Sequence, residues 1–443
     1  MKKDILIVVC IAFVLRLAFS FVVAERVGPG AFEDVRPMSD AGQYIALTKN
    51  ILDNQTFTLY GEPHSFRTPG YPAFLAFWYW LSGSWFFSVA VVGSALGALS
   101  AGVTYIIGRE LFSRTVGLLA GAFFAFEPYG AHMAARPMTE SVYTILVALL
   151  AFFIVRFYRS SSKRAVLYIF LSGLVVGLAV WVRPQLWPFY VFPMTLVVFL
   201  TSRNVHQAKT ALLSAVLFIG VAALVIVPWI VRNAVLFGEP SISSQGGWNL
   251  YFYHTKRFTG SERFFGLEND EIRRFLEIRL GKPGPDDIRS IVYQPIYYTE
   301  AFNIILQRPA SYAFWHIKES LVFFYDDGIR DVLRHMGAES SFTFESISAA
   351  QILKSPTALL ALGGVAFWIG VFLLAGYGAW QGIWKGTPVI RCATIFFLLT
   401  ILYVPFVAGT LAVARFRFPL TPMIFPLFGF GLCMLWERLK WAV

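Results

Sequence analysis

Apolar runs recur from one end of the 443-residue chain to the other, separated by short polar breaks. A run of about 18 apolar residues is long enough to cross roughly 30 Å of hydrocarbon as a helix. The runs predict about ten spans, at 5–24, 85–108, 116–131, 137–156, 165–182, 185–201, 211–231, 355–377, 390–411 and 418–436, with the third and sixth short. Basic residues collect on the cytoplasmic side of spans. With the chain starting inside, Lys2 and Lys3, Arg109 and Arg114, Arg156 to Arg164, Arg203 and Lys209, Lys385 and Arg391, and Arg438 and Lys440 all fall on one side. One miscounted span breaks that alternation, so both chain ends are expected in the cytoplasm. The Met1-Lys2-Lys3-Asp4 start and Val22-Val23-Ala24 resemble a signal peptide and its cleavage site. The nearly full spanning length of the run favours an uncleaved first span.

The segment 69–82 is apolar but too short to cross, and counting it as a span would move Arg109 and Arg114 outside. It is expected to lie at the interface or as a re-entrant helix, with Trp78, Tyr79 and Trp80 at headgroup depth. Two outer connections are long. In the first, 25–84, Ile45, Leu47, Ile51 and Leu52 follow helical spacing after a Ser39 N-cap. The second, 232–354, holds a helical stretch at 269–280, a Lys282-Pro283-Gly284-Pro285 break and an amphipathic helix near 309–325. The fold class is therefore an all-α polytopic membrane protein, 1–443 being one integral membrane domain with interfacial helices in two outer loops.

Composition agrees with this and excludes a soluble class. Hydrophobic residues make up 57% and charged ones 14%, against about 25% charged in soluble domains; mean hydropathy is +0.62. The net charge of +11 comes largely from residues that orient spans, and no basic-aromatic stripe accompanies it, so nucleic acid is not expected as a partner. Cys10, Cys392 and Cys433 all sit in apolar runs, with neither disulfide nor metal spacing.

Inner charges have a topological role, whereas the outer ones do not. Asp40, Arg67, Arg136, Glu140, Arg183, Arg232, Arg415 and Arg417 gather at one face of the membrane, where an ionised group is costly unless paired or wet. That one-sided cluster is the functional signal.

Several outer segments together resemble the GT-C superfamily of polyprenyl-phosphate-sugar glycosyltransferases, which includes protein O-mannosyltransferases and lipid A aminoarabinose transferases. The resemblance is carried by Ser39-Asp40-Ala41-Gly42-Gln43-Tyr44, Arg67-Thr68-Pro69-Gly70-Tyr71-Pro72, Glu127-Pro128, Met138-Thr139-Glu140, Val182-Arg183-Pro184, Pro228 to Asn233 with Phe237-Gly238, and Arg415-Phe416-Arg417-Phe418-Pro419-Leu420. It extends over almost the whole chain and is closest to the bacterial lipopolysaccharide-core branch. It implies a GT-C-like bundle in a bacterial inner membrane, with its active site on the periplasmic face. The implied reaction moves a sugar, hexosyl or pentosyl, from a polyprenyl-phosphate donor to an acceptor hydroxyl on a glycan, lipid or protein, with inversion. Where the family often carries an acidic pair, Asp40 is followed by Ala41-Gly42, so no metal-binding role carries over. No cofactor is called for, and a divalent cation is compatible with the chemistry.

Phosphate is already a good leaving group, so the reaction needs a base for the acceptor rather than an acid for the donor. Asp40 matches the family's first-loop acid and is the candidate base; otherwise it is a helix N-terminal charge. Arg67 stands where the family has a basic residue before its Pro-rich turn, as a phosphate ligand. Arg183, Arg232, Arg415 and Arg417 complete a candidate phosphate cradle, since guanidinium forks donate bidentately and stay ionised. Glu140, Arg136, Tyr44 and His64 are candidates for acceptor or sugar binding, with Glu140 alternatively paired to Arg136. Arg16, inside the first span, is expected to snorkel or face the pocket, and Asp326-Asp327-Gly328 reads as a solvated turn. Trp248, Tyr251, Phe252 and Tyr253 are candidates for stacking on sugar or prenyl groups. A transporter or lipid flippase, which would carry repeats and midplane charges, and an O-antigen ligase or polymerase are the competing readings.

Overall fold

Apolar length becomes helix length in the computed structural model, which describes residues 1–33, 39–160, 163–186, 205–260, 269–285, 287–337 and 355–442. The helices used below are α1 (Lys2–Val27), α2 (Asp40–Asn54), α3 (Gly70–Ser82), α4 (Phe87–Leu111), α5 (Arg114–Phe126), α6 (Pro128–Ala134), α7 (Glu140–Arg159), α8 (Lys163–Val182), α9 (Val205–Phe237), α10 (Asn269–Leu280), α11 (Gln294–Gln307), α12 (Pro309–Ser320), α13 (Pro356–Lys385), α14 (Pro388–Ala408) and α15 (Thr421–Ala442). Among the described residues eight helices are long and apolar enough to cross a membrane. They correspond to eight of the spans read from the sequence.

The other two expectations fare differently. The third span, 116–131, is not one helix. Its first part, α5, rises only about 20 Å at 1.5 Å per residue, and the chain bends at Glu127–Pro128, where Glu127 caps the next helix by accepting from Gly130 N at 2.6 Å. Proline at the first helical position explains the restart. The sixth span, 185–201, lies from 187 onward outside the described residues.

One core runs through the bundle. α4 packs on α1, α5 and α7; α8 lies between α7 and α9; α15 packs on α13, α4 and α5. Glycines allow the closest of these approaches: a Cβ on Gly173 would sit 2.6 Å from the Phe218 carbonyl oxygen of α9. Arg16 is fully buried and neither snorkels nor faces a pocket. Its guanidinium donates to the carbonyls of Phe124 (2.9 Å) and Ala125 (3.1 Å), satisfying the open C-terminal end of α5. At the opposite end of α5, Asp4 accepts two bonds from Arg114 and one from Tyr105.

The first outer loop folds as the periodicity predicts. Ser39 Oγ accepts from Gly42 N at 2.9 Å and starts α2. Gln55 ends it in the left-handed region, and a short antiparallel hairpin, Thr58–Leu59 with Glu62–Pro63, turns the chain back. Tyr60 (φ 55°) and Gly61 (φ 85°) are the two turn residues, the positive-φ pair of a two-residue hairpin turn. The apolar segment 69–82 then forms α3. The large outer loop has a small core of its own, built from Tyr251, Phe252, Ile272, Leu276, Tyr293 and Tyr297.

Candidate functional site

The hairpin returns His64-Ser65-Phe66-Arg67 alongside the start of α2, and three other parts of the chain hold that strip in place. Arg232 Nη1 donates to the His64 carbonyl at 2.8 Å, Ser243 Oγ to the Phe66 carbonyl at 2.7 Å, and Ile291 N to Ser65 Oγ at 3.0 Å. His64 Nε2 accepts the Arg67 backbone N–H at 3.0 Å. Burial, then the charges of Arg67, Arg289 and Arg232, push the His64 pKa down to about 3, so the ring is neutral and carries its proton on Nδ1. The following turn docks on the end of α8: Thr68 Oγ1 donates to the Val182 carbonyl at 3.3 Å. A Cβ on Gly70 would lie 2.7 Å from the Trp181 backbone, so this approach requires glycine.

Arg67 is thereby aimed at the first turn of α2. Its Nε donates to Gln43 Oε1 at 2.8 Å, its Nη2 to Asp40 Oδ1, and its guanidinium lies over the rings of Phe66 (4.8 Å) and Tyr44 (5.2 Å). Asp40 Oδ2 accepts from Arg415 Nη1 at 2.7 Å. Arg415 Nε donates to Glu140 Oε1, which also accepts from Arg183 Nη1 at 2.7 Å. Glu140 stands at the first position of α7 with no exposure, where a helix N-terminus favours its charge. Burial by itself would raise the Asp40 carboxyl. The Arg67 and Arg415 charges and their hydrogen bonds outweigh that and hold it far below the usual carboxylate range.

Most of these side chains border a cavity of about 690 Å³. Asp40, Tyr44, Arg67, Arg183 and Arg415 line it, together with Phe66, Thr68 and Phe416. The large outer loop supplies a second wall of Gln245, Trp248, Asn249, Tyr253, Arg289, Gln294 and Tyr298. Val182, Pro184, Tyr403, Val407 and Leu411 form an apolar flank at the ends of α8 and α14. A chamber lined by guanidinium, polar-aromatic and apolar side chains suits an amphiphile with an anionic head.

Not every residue singled out from the sequence reaches the cavity. Arg417 is 1% exposed and donates to the carbonyls of Phe323 (2.7 Å) and Asp326, with its guanidinium 3.7 Å from the centre of the Trp368 ring. Arg232 lies over Trp229 at 4.5 Å and supports the His64 strip from behind. Both arginines brace the backbone rather than line the chamber. His64 is buried beneath Arg67, and its Nε2 is occupied by the main chain. Glu140 pairs with Arg183 and Arg415 instead of Arg136. Asp326-Asp327-Gly328 is a turn, but not a solvated one. Asp326 Oδ2 accepts from Ala414 N at 2.7 Å, and Asp327 is 6% exposed. Trp248 and Tyr253 line the cavity, whereas Tyr251 and Phe252 belong to the loop's own core.

The sequence reading missed Gln245, Asn249, Arg289, Gln294 and Tyr298. Gln245, Asn249 and Arg289 lie in short helical or irregular stretches of the large loop, and Gln294 and Tyr298 in the first turns of α11; no motif marks them, so only the folding of that loop over the cavity reveals them. Among the described residues no group of three or more His, Cys, Asp or Glu side chains is placed to hold a metal ion.

Residues 66–231 match the family model described as dolichyl-phosphate-mannose-protein mannosyltransferase. That stretch holds Arg67, Glu140 and Arg183 and leaves out Asp40 and Arg415. No curated protein sequence matches the chain. Among solved structures, the archaeal oligosaccharyltransferase AglB from Archaeoglobus fulgidus, in complex with an inhibitory peptide and a dolichol-phosphate, is similar with a TM-score of 0.48 and 13% identity, over 98% of this chain and 51% of that one. ArnT from Cupriavidus metallidurans bound to undecaprenyl phosphate is similar with a TM-score of 0.41 and 14% identity, over 94% of this chain and 77% of that one. The chain spans about half the length of the oligosaccharyltransferase structures it matches. The resemblance drawn from the outer-loop motifs thus meets a family model of the same kind, and over residues 66–231 this chain is similar to the dolichyl-phosphate-mannose-protein mannosyltransferases.

Proposed function

We propose that this multi-pass membrane protein, acting as a single unit over 1–443, transfers a sugar from a polyprenyl-phosphate donor to an acceptor hydroxyl at the extracytoplasmic face of a bacterial inner membrane. The observation that carries this reading is the convergence of one carboxylate, Asp40, and three arginines, Arg67, Arg183 and Arg415, on a cavity with an apolar flank. The apolar flank suits a prenyl chain, the arginines suit its phosphate, and the wall containing Trp248, Asn249, Gln294 and Tyr298 suits a sugar or acceptor glycan. The family match over residues 66–231 supports the same chemistry.

In this reading the acceptor oxygen attacks the anomeric carbon as its bond to phosphate breaks, which inverts the centre. Asp40 takes the acceptor proton, and the arginines hold the charge left on the phosphate, the contribution expected to be largest. They carry the stabilisation that a divalent cation supplies in other phosphate-releasing sites. Donor sugar and acceptor can be found by incubating the purified protein and a membrane extract with a panel of radiolabelled polyprenyl-phosphate sugars. Label should pass into one extract component, and Asp40→Asn should slow the transfer by about a hundredfold or more while the protein remains folded. Transfer by Asp40→Asn at near the wild-type rate would remove Asp40 as the base.

A further inference from the structure

Five charged side chains at the cavity form one unbranched series, Arg67, Asp40, Arg415, Glu140 and Arg183, in which signs alternate and both ends are cationic. The links differ in accessibility. The side chains of Asp40 and Arg415 are 34% and 25% exposed, against 8% for Arg67, 11% for Arg183 and none for Glu140. An incoming group therefore reaches the series at the Asp40–Arg415 link. Arg415 also grips its two carboxylates with different nitrogens, Nε on Glu140 and Nη1 on Asp40. Release at Nη1 requires no release at Nε. As placed, both Asp40 oxygens are held by guanidinium groups, and a carboxylate so held is a poor proton acceptor.

We propose that Arg415 is an exchange latch: the donor phosphate displaces Asp40 from Arg415 Nη1 while Glu140 keeps hold of Nε, and this exchange frees the Asp40 oxygen that accepts the acceptor's proton. The proposal rests on the lipid-linked-sugar reading above. The donor diester brings one negative charge to Nη1. A second develops as the carbon–oxygen bond to phosphate breaks and its electron pair stays on the phosphate, so the new contact strengthens towards the transition state. The acceptor oxygen forms the new bond to the anomeric carbon, and its proton passes to Asp40 Oδ2. Without a seated phosphate the base stays latched. Glu140 is a positioning residue in this scheme: it touches neither donor nor acceptor but fixes two arginines.

The test is the affinity of the purified full chain, in lipid nanodiscs, for a polyprenyl monophosphate. In Asp40→Asn the competitor for Nη1 loses its charge, so binding should tighten about tenfold. In Glu140→Gln the anchor of Arg415 and Arg183 weakens, so binding should loosen about tenfold. Simple removal of negative charge near an anion site would tighten both. Asp40→Asn binding that is unchanged or weaker, or Glu140→Gln binding that is tighter, overturns the latch while leaving the transferase reading intact. Absence of binding by the wild-type protein overturns both. Should Glu140→Gln not fold, Arg415→Lys serves instead, since a lysine lacks the fork that holds two carboxylates. Asp40→Asn should then give no added affinity in the Arg415→Lys background, and a persistent tenfold gain there refutes the exchange.

Discussion

Two arginines separated by a single residue do unlike work. Arg415 reaches the cavity and joins two carboxylates, whereas Arg417 turns into the protein and satisfies the carbonyls of Phe323 and Asp326. Removing Arg417 leaves those carbonyls without their donor in a buried place and exposes Trp368 to the gap. The cost is expected to be on the order of 3 kcal/mol. Arg417→Gln should therefore lower the melting temperature in detergent by several degrees and reduce the yield of folded protein. Arg415→Gln should melt much closer to wild type and lose sugar transfer, because Glu140 keeps Arg183 and Asp40 keeps Arg67. Equal loss of stability in both variants would contradict this division.

At the level of elements, the site depends on where helices begin and end. Asp40 is the first residue of α2, Glu140 the first of α7, and Arg183 follows the last residue of α8. Each terminus fixes a charged side chain where the main chain enters or leaves a helix. Ser39 carries much of the burden for Asp40, because its hydroxyl caps the turn in which Asp40 stands. Ser39→Ala should cost about 1 kcal/mol in stability and lower transfer by more than that loss of folded protein explains, since the frayed turn no longer presents Asp40 to Arg415. Ser39→Asn restores a capping oxygen without adding charge and should recover both thermal stability and rate. Recovery of stability alone would mean that the cap does not position Asp40.

Across the whole molecule, the two outer loops and the ends of α8, α9 and α14 close on one another, and the contacts that do so are polar and buried. Asp327, buried within the larger of those loops, gives the molecule a measurable pH dependence. Burial raises its carboxyl to about 6, and its Oδ1 accepts from Ile329 N at 3.0 Å while Oδ2 has no partner. The folded pKa lies above the unfolded value near 3.9, so between those pH values the folded protein binds more protons than the unfolded chain. Stability then falls as pH rises from about 4 through 6, by on the order of 3 kcal/mol. Asp327→Asn keeps an oxygen for Ile329 N and removes the titration. The melting temperature of the variant relative to wild type should increase between pH 5 and pH 7.5, and a pH-independent difference would rule Asp327 out as the cause.

The chain's apolar runs determined most of its membrane helices, because twenty apolar residues in water have few stable alternatives to crossing a bilayer. They misread 116–131, where Glu127-Pro128 interrupts the apolar run and restarts a helix, since average hydropathy is insensitive to backbone direction. Ser39 capping and the helical spacing of 40–54 were legible for the same reason as the spans: both are local. The gathering of charge on one face was also legible, because a membrane gives polar residues only two sides. Which of those charges meet was not. Arg415 lies far along the chain from both Asp40 and Glu140 and binds both, while its near neighbour Arg417 binds neither. Glu140 stands close to Arg136 in sequence yet pairs with Arg183 and Arg415. Partners of this kind are set by the packing of α7, α8 and α15 and by the fold of two loops over one cavity. Charge pairing depends on distance in space, which the order of residues does not specify until the helices are packed.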